Sequence, residues 1–365
     1  MKSLFKNKEI YLYLFIFFII SILSIYKASD YLSRSLGLLY IKQIYWYLIG
    51  FALIFIVKKI NIIKLYNLSF LIYLICILLL SGLFLYGVEV NNTKAWYKVF
   101  NISIQPSEFM KISLILINSY VLNKFYKNKD KIKTKKEFRL ILLLLVILII
   151  PSILTFLEPD TGAVISYILI TIGMLYIAGL NKKWFYLLFL ILLGFISFFF
   201  ITYYSNQSAL TSLIGERSMY RIERIINWQN KDGMQLNNSL ISIGMGGLFG
   251  NKKVPIYYPE AGTDFIFTSF SSSYGLIGSL FLITTIMLFN FHIIKVMKKT
   301  RRKQDKYTLF GILVLFSYQQ IQNIAMSIGL LPITGITLPL ISYGGSSLLT
   351  YLILIGIVLN IEKKA

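Results

Sequence analysis

Asp264 stands between a polar run, Pro255-Ile-Tyr-Tyr-Pro-Glu260-Ala-Gly262-Thr263, and an apolar one, Phe265-Ile-Phe267. An acid at such a join lies where water gives way to hydrocarbon, an environment that disfavours its charged form and suits it to take a proton as a general base. The same position also reads as a helix cap, with the carboxylate accepting free backbone N–H groups. The lone histidine, His292, falls at the far end of the apolar segment that Asp264 opens, so neither a histidine triad nor a histidine zinc site can form beside it. Carboxylates must carry any acid–base work there. The single cysteine, Cys76, lies in an apolar run without a partner, which excludes a disulfide framework or a cysteine metal centre.

Three further polar motifs share this setting. With Glu260-Ala-Gly-Thr263-Asp264, they are Gln105-Pro-Ser107-Glu108-Phe-Met-Lys111, Glu158-Pro-Asp160-Thr-Gly162 and Ile341-Ser342-Tyr343-Gly344-Gly345-Ser346-Ser347, each opening an apolar segment of helix length. Each also has a plainer reading. Pro106 and Ser107 make an ordinary helix start, Glu108 and Lys111 an i,i+3 ion pair, Glu158-Pro-Asp160 a capped turn, and the glycines and serines a close helix contact. Lys111 weighs against the plain readings, because a charge one turn inside a membrane helix is costly and marks a functional position. Arg217, Arg221 and Arg224 recur at i, i+4 and i+7, which would put them on one face of a helix.

The elements that must position these residues follow from composition. The 365-residue chain is 57% hydrophobic and 16% aromatic, with mean hydropathy +0.71, and reads as an integral membrane protein. A formal charge of +22 would suit nucleic acid only as a patch on a folded surface, whereas these basic residues fall in short runs between apolar segments. No nucleic-acid partner is therefore expected. A bilayer span takes about 20 mostly apolar residues. Ten candidates meet this, at 9–26, 38–57, 66–87, 106–122, 139–157, 161–179, 184–203, 264–291, 307–325 and 342–360. The first follows Lys2, Lys6 and Lys8 without a clear cleavage site and is read as a retained helix. The expected fold is thus an all-α membrane protein of about ten transmembrane helices, a single polytopic domain over 1–365.

Placing both termini in the cytoplasm puts 24 of the 37 Lys and Arg inside and ten outside, as the positive-inside rule requires. The basic loops 123–138 and 295–306 dominate that count. All four polar motifs then open outside-to-inside helices at the outer face, so their positive N-terminal dipole ends converge there and suit an anionic group such as a diphosphate. The one long extracellular loop, 204–262, lies between the seventh and eighth helices and shows no obvious regular structure. It carries the three arginines and a glycine-rich run, Gly244-Met-Gly246-Gly247-Leu-Phe-Gly250. No internal repeat is visible, which weakens an inverted-repeat transporter.

In order along the chain, Gln105-Pro-Ser-Glu-Phe, Pro159-Asp160-Thr-Gly, Ser239 to Gly250, Thr263-Asp-Phe-Ile-Phe267 and Gly329 to Ser347 resemble the SEDS family of RodA-like and FtsW-like proteins. The resemblance implies a ten-helix peptidoglycan glycosyltransferase of the bacterial cytoplasmic membrane that polymerises lipid II at the outer face, in elongation, division or sporulation. Asp264 matches the family's essential aspartate. The implied substrate-binding set is Glu108, Lys111, Asp160, Arg217, Arg221, Arg224, Glu260, Thr263, Ser342, Tyr343, Gly344, Gly345 and Ser346. The resemblance fixes no cofactor with certainty; a divalent cation, Mg or Mn, could share the leaving-group charge. The implied partners are lipid II, a class B penicillin-binding protein that supplies transpeptidation, and other elongasome or divisome membrane proteins. Gly262 stands where many members have His, and Ser327 where Asn is frequent. A lipid II flippase and a non-catalytic scaffold are the competing readings.

Overall fold

The computed structural model describes residues 8–28, 38–90, 93–99, 102–126, 134–205, 228, 233–251 and 260–364. Ten long helices match the ten expected spans: α1 (Lys8–Ala28), α2 (Leu39–Lys59), α4 (Ser69–Tyr86), α5 (Pro106–Tyr126), α6 (Thr134–Leu157), α7 (Thr161–Ile177), α8 (Lys182–Ser205), α10 (Ile266–Lys299), α11 (Lys303–Ser327) and α12 (Gly345–Glu362). The chain is a multi-pass membrane protein. Seven of the ten are long and apolar enough to cross a bilayer on length and composition alone. The central helix α5 is not one of them, and the reason is physical. It is buried along most of its length among α4, α7, α11 and α12, so it meets protein rather than lipid and can carry Glu108, Lys111, Ser113, Asn118 and Ser119.

Local chemistry sets the ends and bends. Pro106 opens α5 at a position where its missing N–H costs nothing. Asn61 caps the short α3 (Ile62–Asn67) by accepting from Ile63 N, and Asp160 caps α7 by accepting from Ala163 N at 3.0 Å. Inside α6, Pro151 leaves the carbonyl of Ile147, four residues earlier, without its usual partner. The Tyr73 hydroxyl of α4 donates to that oxygen at 2.9 Å, filling the gap where no water is at hand.

Two regular elements depart from the sequence expectation. A three-stranded antiparallel sheet, β1 (Val88–Val90), β2 (Thr93–Val99) and β3 (Ile102–Ile104), sits between α4 and α5, so the fold is helical with a small sheet at the motif-bearing end. Its register pairs Val88 with Trp96 and Tyr97 with Ile104, and the Tyr97 hydroxyl fixes it to α4 through the Leu79 carbonyl at 2.8 Å. The long loop also holds a helix, α9 (Met234–Gly246). At the other end, α10 runs on to Lys299 and α11 starts at Lys303, so the basic stretch 295–306 is mostly helix with a short turn.

Helix α10 is broken at Gly275, whose φ of +66° and ψ of −164° lie outside helical space. The glycine-rich run after α9 fills the break. Leu276 N donates to Gly247 O at 2.9 Å and Ile277 N to Leu248 O at 3.2 Å, while Asn251 N donates to Ser272 O at 2.9 Å. The groups orphaned by the break are thus satisfied by a second strand of backbone. Only glycine permits that approach: a Cβ at Gly250 would lie 2.0 Å from Ser273 O, and one at Gly275 2.5 Å from Gly250 N.

Candidate active site

The four polar motifs meet at one end of the bundle, joined by hydrogen bonds that span most of the chain. Asp160 connects the first two. Its Oδ2 accepts from Gln105 Nε2 at 3.0 Å and from Ser107 Oγ at 2.9 Å, while Oδ1 holds the start of α7. Tyr167, fully buried in α7, returns the link by donating to Ser107 O at 2.8 Å. Ser346 connects the first motif to the fourth, its hydroxyl accepting from Gln105 N at 3.0 Å. Ser342 connects the fourth to the third: its hydroxyl donates to Thr263 O at 2.6 Å and accepts from Leu338 N at 2.8 Å, and Tyr343 N donates to Gly262 O at 2.9 Å. Gly345 lies so close to Trp46 that a Cβ there would come within 2.4 Å of the indole. Gly344 precedes it as the N-cap of α12.

Asp264 sits inside this frame, just before the start of α10. The N-cap of α10 is Phe265, which makes no side-chain capping bond, and the helix begins at Ile266. A tight turn sets the acid one residue back from that N-cap. Glu260, at φ +59°, opens the turn, and its carbonyl accepts from Thr263 N and Phe265 N, both at 3.1 Å. Thr263 Oγ1 also donates to Glu260 Oε2 at 2.6 Å. Asp264 is half-buried, and the loop between α11 and α12 runs beside it. A Cβ built at Gly335, φ +70°, would lie 3.4 Å from Asp264 Oδ2. Asn323 of α11 holds acid and loop together, its Nδ2 donating to Asp264 O at 2.8 Å and to Ile336 O at 2.7 Å.

Below this rim, Lys111 and Glu108 form a buried ion pair of 2.6 Å, with Lys111 1% exposed. Glu108 Oε2 has no hydrogen-bond partner among the described residues. Glu158, in the turn before α7, is 2% exposed with both oxygens unpartnered among the described residues, and burial, aided by the charge of Asp160, pushes its carboxyl up to about 8. Arg217, Arg221 and Arg224 lie outside the described residues.

Sequence reading missed several members of this frame. Asn323 belongs to an amide-rich run in α11, Gln319-Gln-Ile-Gln-Asn323, whose polarity inside an apolar segment was the available signal. Gln322 Nε2 donates to Pro332 O at 3.0 Å, and Gln319 Oε1 accepts from the Tyr351 hydroxyl at 2.8 Å. Ser21, Gln43 and Tyr47, from the first two helices, hold the carbonyls of Ile341, Ser342 and Leu340. Nothing in their local sequence marks them, since their partners lie about 300 residues away.

The sequence profile of the FtsW, RodA and SpoVE family, described as cell cycle protein, matches residues 7–365. A protein of Buchnera aphidicola named "Probable peptidoglycan glycosyltransferase FtsW" is 34% identical over 336 residues, covering 88% of this chain and 89% of its own length. A Bacillus subtilis protein of the same name is 33% identical over 304 residues, covering 80% and 72%. Among solved structures, one described as structural coordination of polymerization and crosslinking by a peptidoglycan synthase complex superposes with a TM-score of 0.78 at 20% identity, covering 98% of each chain. The Thermus thermophilus rod shape determining protein RodA superposes with a TM-score of 0.70 at 22% identity, covering 97% and 96%. At these identities the structural likeness speaks for the fold.

Proposed function

The chain belongs to the FtsW, RodA and SpoVE family of cell cycle proteins, and from that membership and the geometry of the site we propose that it is a peptidoglycan glycosyltransferase, polymerising lipid II into glycan strands at the outer face of the bacterial cytoplasmic membrane. The observation that carries the reading is the placement of Asp264: a half-buried carboxylate, set back from its helix start, in the middle of a frame built from the outward N-termini of four helices. A lipid-linked donor and acceptor both arrive along the bilayer, so a base at its edge meets both.

In this reading Asp264 takes the proton from the 4-hydroxyl of the acceptor GlcNAc. That oxygen attacks C1 of the donor MurNAc, the bond from C1 to the diphosphate breaks, and undecaprenyl diphosphate leaves with its electron pair. A single displacement inverts the anomeric centre. The departing diphosphate is met by the positive ends of α5, α7 and α12, which are already held in place and need no reorganisation as charge develops. Lys111 acts there as half of a buried pair with Glu108. Among the described residues no three His, Cys, Asp or Glu side chains converge, and both oxygens of Asp160 already accept from protein donors. No step is assigned to a Mg or Mn ion. A class B penicillin-binding protein would join the strands by transpeptidation.

The test is lipid II polymerisation by the purified protein in proteoliposomes, alone and with a class B penicillin-binding protein, for wild type and Asp264→Asn. Glycan chains from wild type and none from a well-folded variant support the reading. Equal activity of the two removes Asp264 as the base, and lipid II movement across the bilayer without polymer in either preparation replaces the enzyme with a flippase.

A further inference from the structure

At the end of the bundle opposite Asp264, the last turn of α5, the last turn of α7 and the first turns of α11 enclose a cavity of about 250 Å³ lined by Tyr126, Ile177, Ala178, Lys303, Lys306 and Tyr307. Its composition is divided. Ile177, Ala178 and the two tyrosine rings make an apolar floor, and two lysines make a cationic rim. The walls are fixed: Ser119 Oγ donates to Gln304 O at 2.8 Å and Asn123 Nδ2 to Gln304 Oε1 at 3.2 Å, so the start of α11 is fastened to α5.

Four observations point to an anionic occupant. The N-terminus of α11 has no side-chain cap, because its N-cap, Arg302, turns to Gln304 Oε1 at 2.8 Å and stacks on Tyr66. The one acid of that first turn, Asp305, accepts from the Tyr66 hydroxyl at 2.8 Å, away from the lining residues. Tyr126, 3% exposed, has a hydroxyl with no hydrogen-bond partner among the described residues, so the wall holds a donor without an acceptor. Lys306, half-buried, forms no ion pair among the described residues.

We infer that this cavity binds the phosphate-bearing headgroup of an anionic phospholipid. The floor favours a lipid over free phosphate: a small inorganic anion gains nothing from Ile177 and Ala178, whereas the glycerol and first methylenes of a lipid lie against them. The positive-inside bias assigns this end to the cytoplasm, where the leaflet is rich in anionic lipid and basic pockets between helices take such headgroups. The site is remote from the polymerising face, so its test does not depend on the proposed activity.

Native mass spectrometry of the full-length protein from detergent, with phosphatidylglycerol or phosphatidylcholine added, reads the lipid retained. Phosphatidylglycerol is expected to remain bound in preference to phosphatidylcholine, and Lys303→Gln with Lys306→Gln to lower its affinity about tenfold. Tyr126→Phe, which removes one hydroxyl and no charge, is expected to cause a smaller loss. Lys182→Gln with Lys183→Gln, the same charge change elsewhere on that end, is expected to leave binding intact. An equal loss in this control pair, or no loss on Tyr126→Phe, would place the lipid on the general basic surface and overturn the site. Displacement by inorganic phosphate with no preference between lipids would make the occupant a free anion and overturn the lipid assignment. Retained binding in the Lys303/Lys306 double variant would overturn both.

Discussion

Asp160 and Asp264 both open inward-running helices at the same face, both follow a glutamate by a few residues, and both look like helix caps in the sequence. The structure separates them. Asp160 accepts from Ala163, Gln105 and Ser107 and so is a joint between α5 and α7. Asp264 is displaced from its helix by a turn, leaving Phe265 as N-cap, and is steadied through its main chain by Asn323 and, one residue earlier, Ser342. A carboxylate surrounded by donors is a poor base, because each hydrogen bond stabilises the charged form it would have to give up. Asp160 thus serves as a joint of the frame, and Asp264 is the acid that the proposed reaction uses.

The sharpest way to break this contrast is to make the same change at both sites. Asp264→Asn should lower polymerisation about 10³-fold, within the usual range for a general base, with the melting temperature unchanged. Asp160→Asn keeps an N-cap but turns an amide toward two donors, and should destabilise the protein by about 2 kcal/mol in a denaturation series, with activity falling in proportion to the folded fraction. If the two variants behave alike, the distinction is wrong. Gly250→Ala tests whether the frame around Asp264 depends on the break in α10: a Cβ at φ +93° against Ser273 O should cost about 3 kcal/mol.

Ser342→Ala sharpens the comparison further, since that hydroxyl serves the backbone on either side of it. We expect a loss of about 1 kcal/mol in stability, because one buried donor and one acceptor lose their partner, together with a fall in kcat larger than any change in KM. The pH dependence belongs to Glu158. Its folded-state carboxyl, pushed up to about 8, lies above the ordinary value of 4.5, so the neutral acid is the form the fold favours. Its contribution is present at low pH and is lost as pH rises through the folded value. Wild type should therefore lose stability between about pH 4.5 and pH 8 relative to Glu158→Gln, which cannot ionise, and the two melting curves should lie nearest each other below pH 4.5.

Much of the fold was legible because lipid imposes a simple rule: a helix facing hydrocarbon must be mostly apolar along its length, and ten such runs stand in the sequence. The rule weakens where protein replaces lipid, as along α5, whose Glu108 and Lys111 lower its hydropathy without removing it from the membrane. The motifs of the site were legible as polar residues at apolar boundaries, but their division of labour was not. Capping depends on one or two residues of helix offset, and the turn at Asp264 is held by contacts from Asn323 to Asp264 and from Ser342 to Thr263, 59 and 79 positions apart. The sheet was hidden by its shortness, with strands of three to seven residues in an otherwise helical chain. The glycines after α9 were visible as glycines, and their purpose needed the broken helix they fill.

That splice has a mechanical meaning. A continuous α10 of 34 residues would be a single rod about 50 Å long, stiff from one side of the membrane to the other. Broken at Gly275, it becomes two shorter rods, and the outer one, which leads to Asp264, is strapped by main-chain bonds to the segment leaving α9. A pull on that segment is delivered to the base of the outer rod within a few residues of the acid, while the inner rod stays anchored in the bundle. The segment leaving α9 and Asp264 therefore share one lever, and its pivot is a glycine.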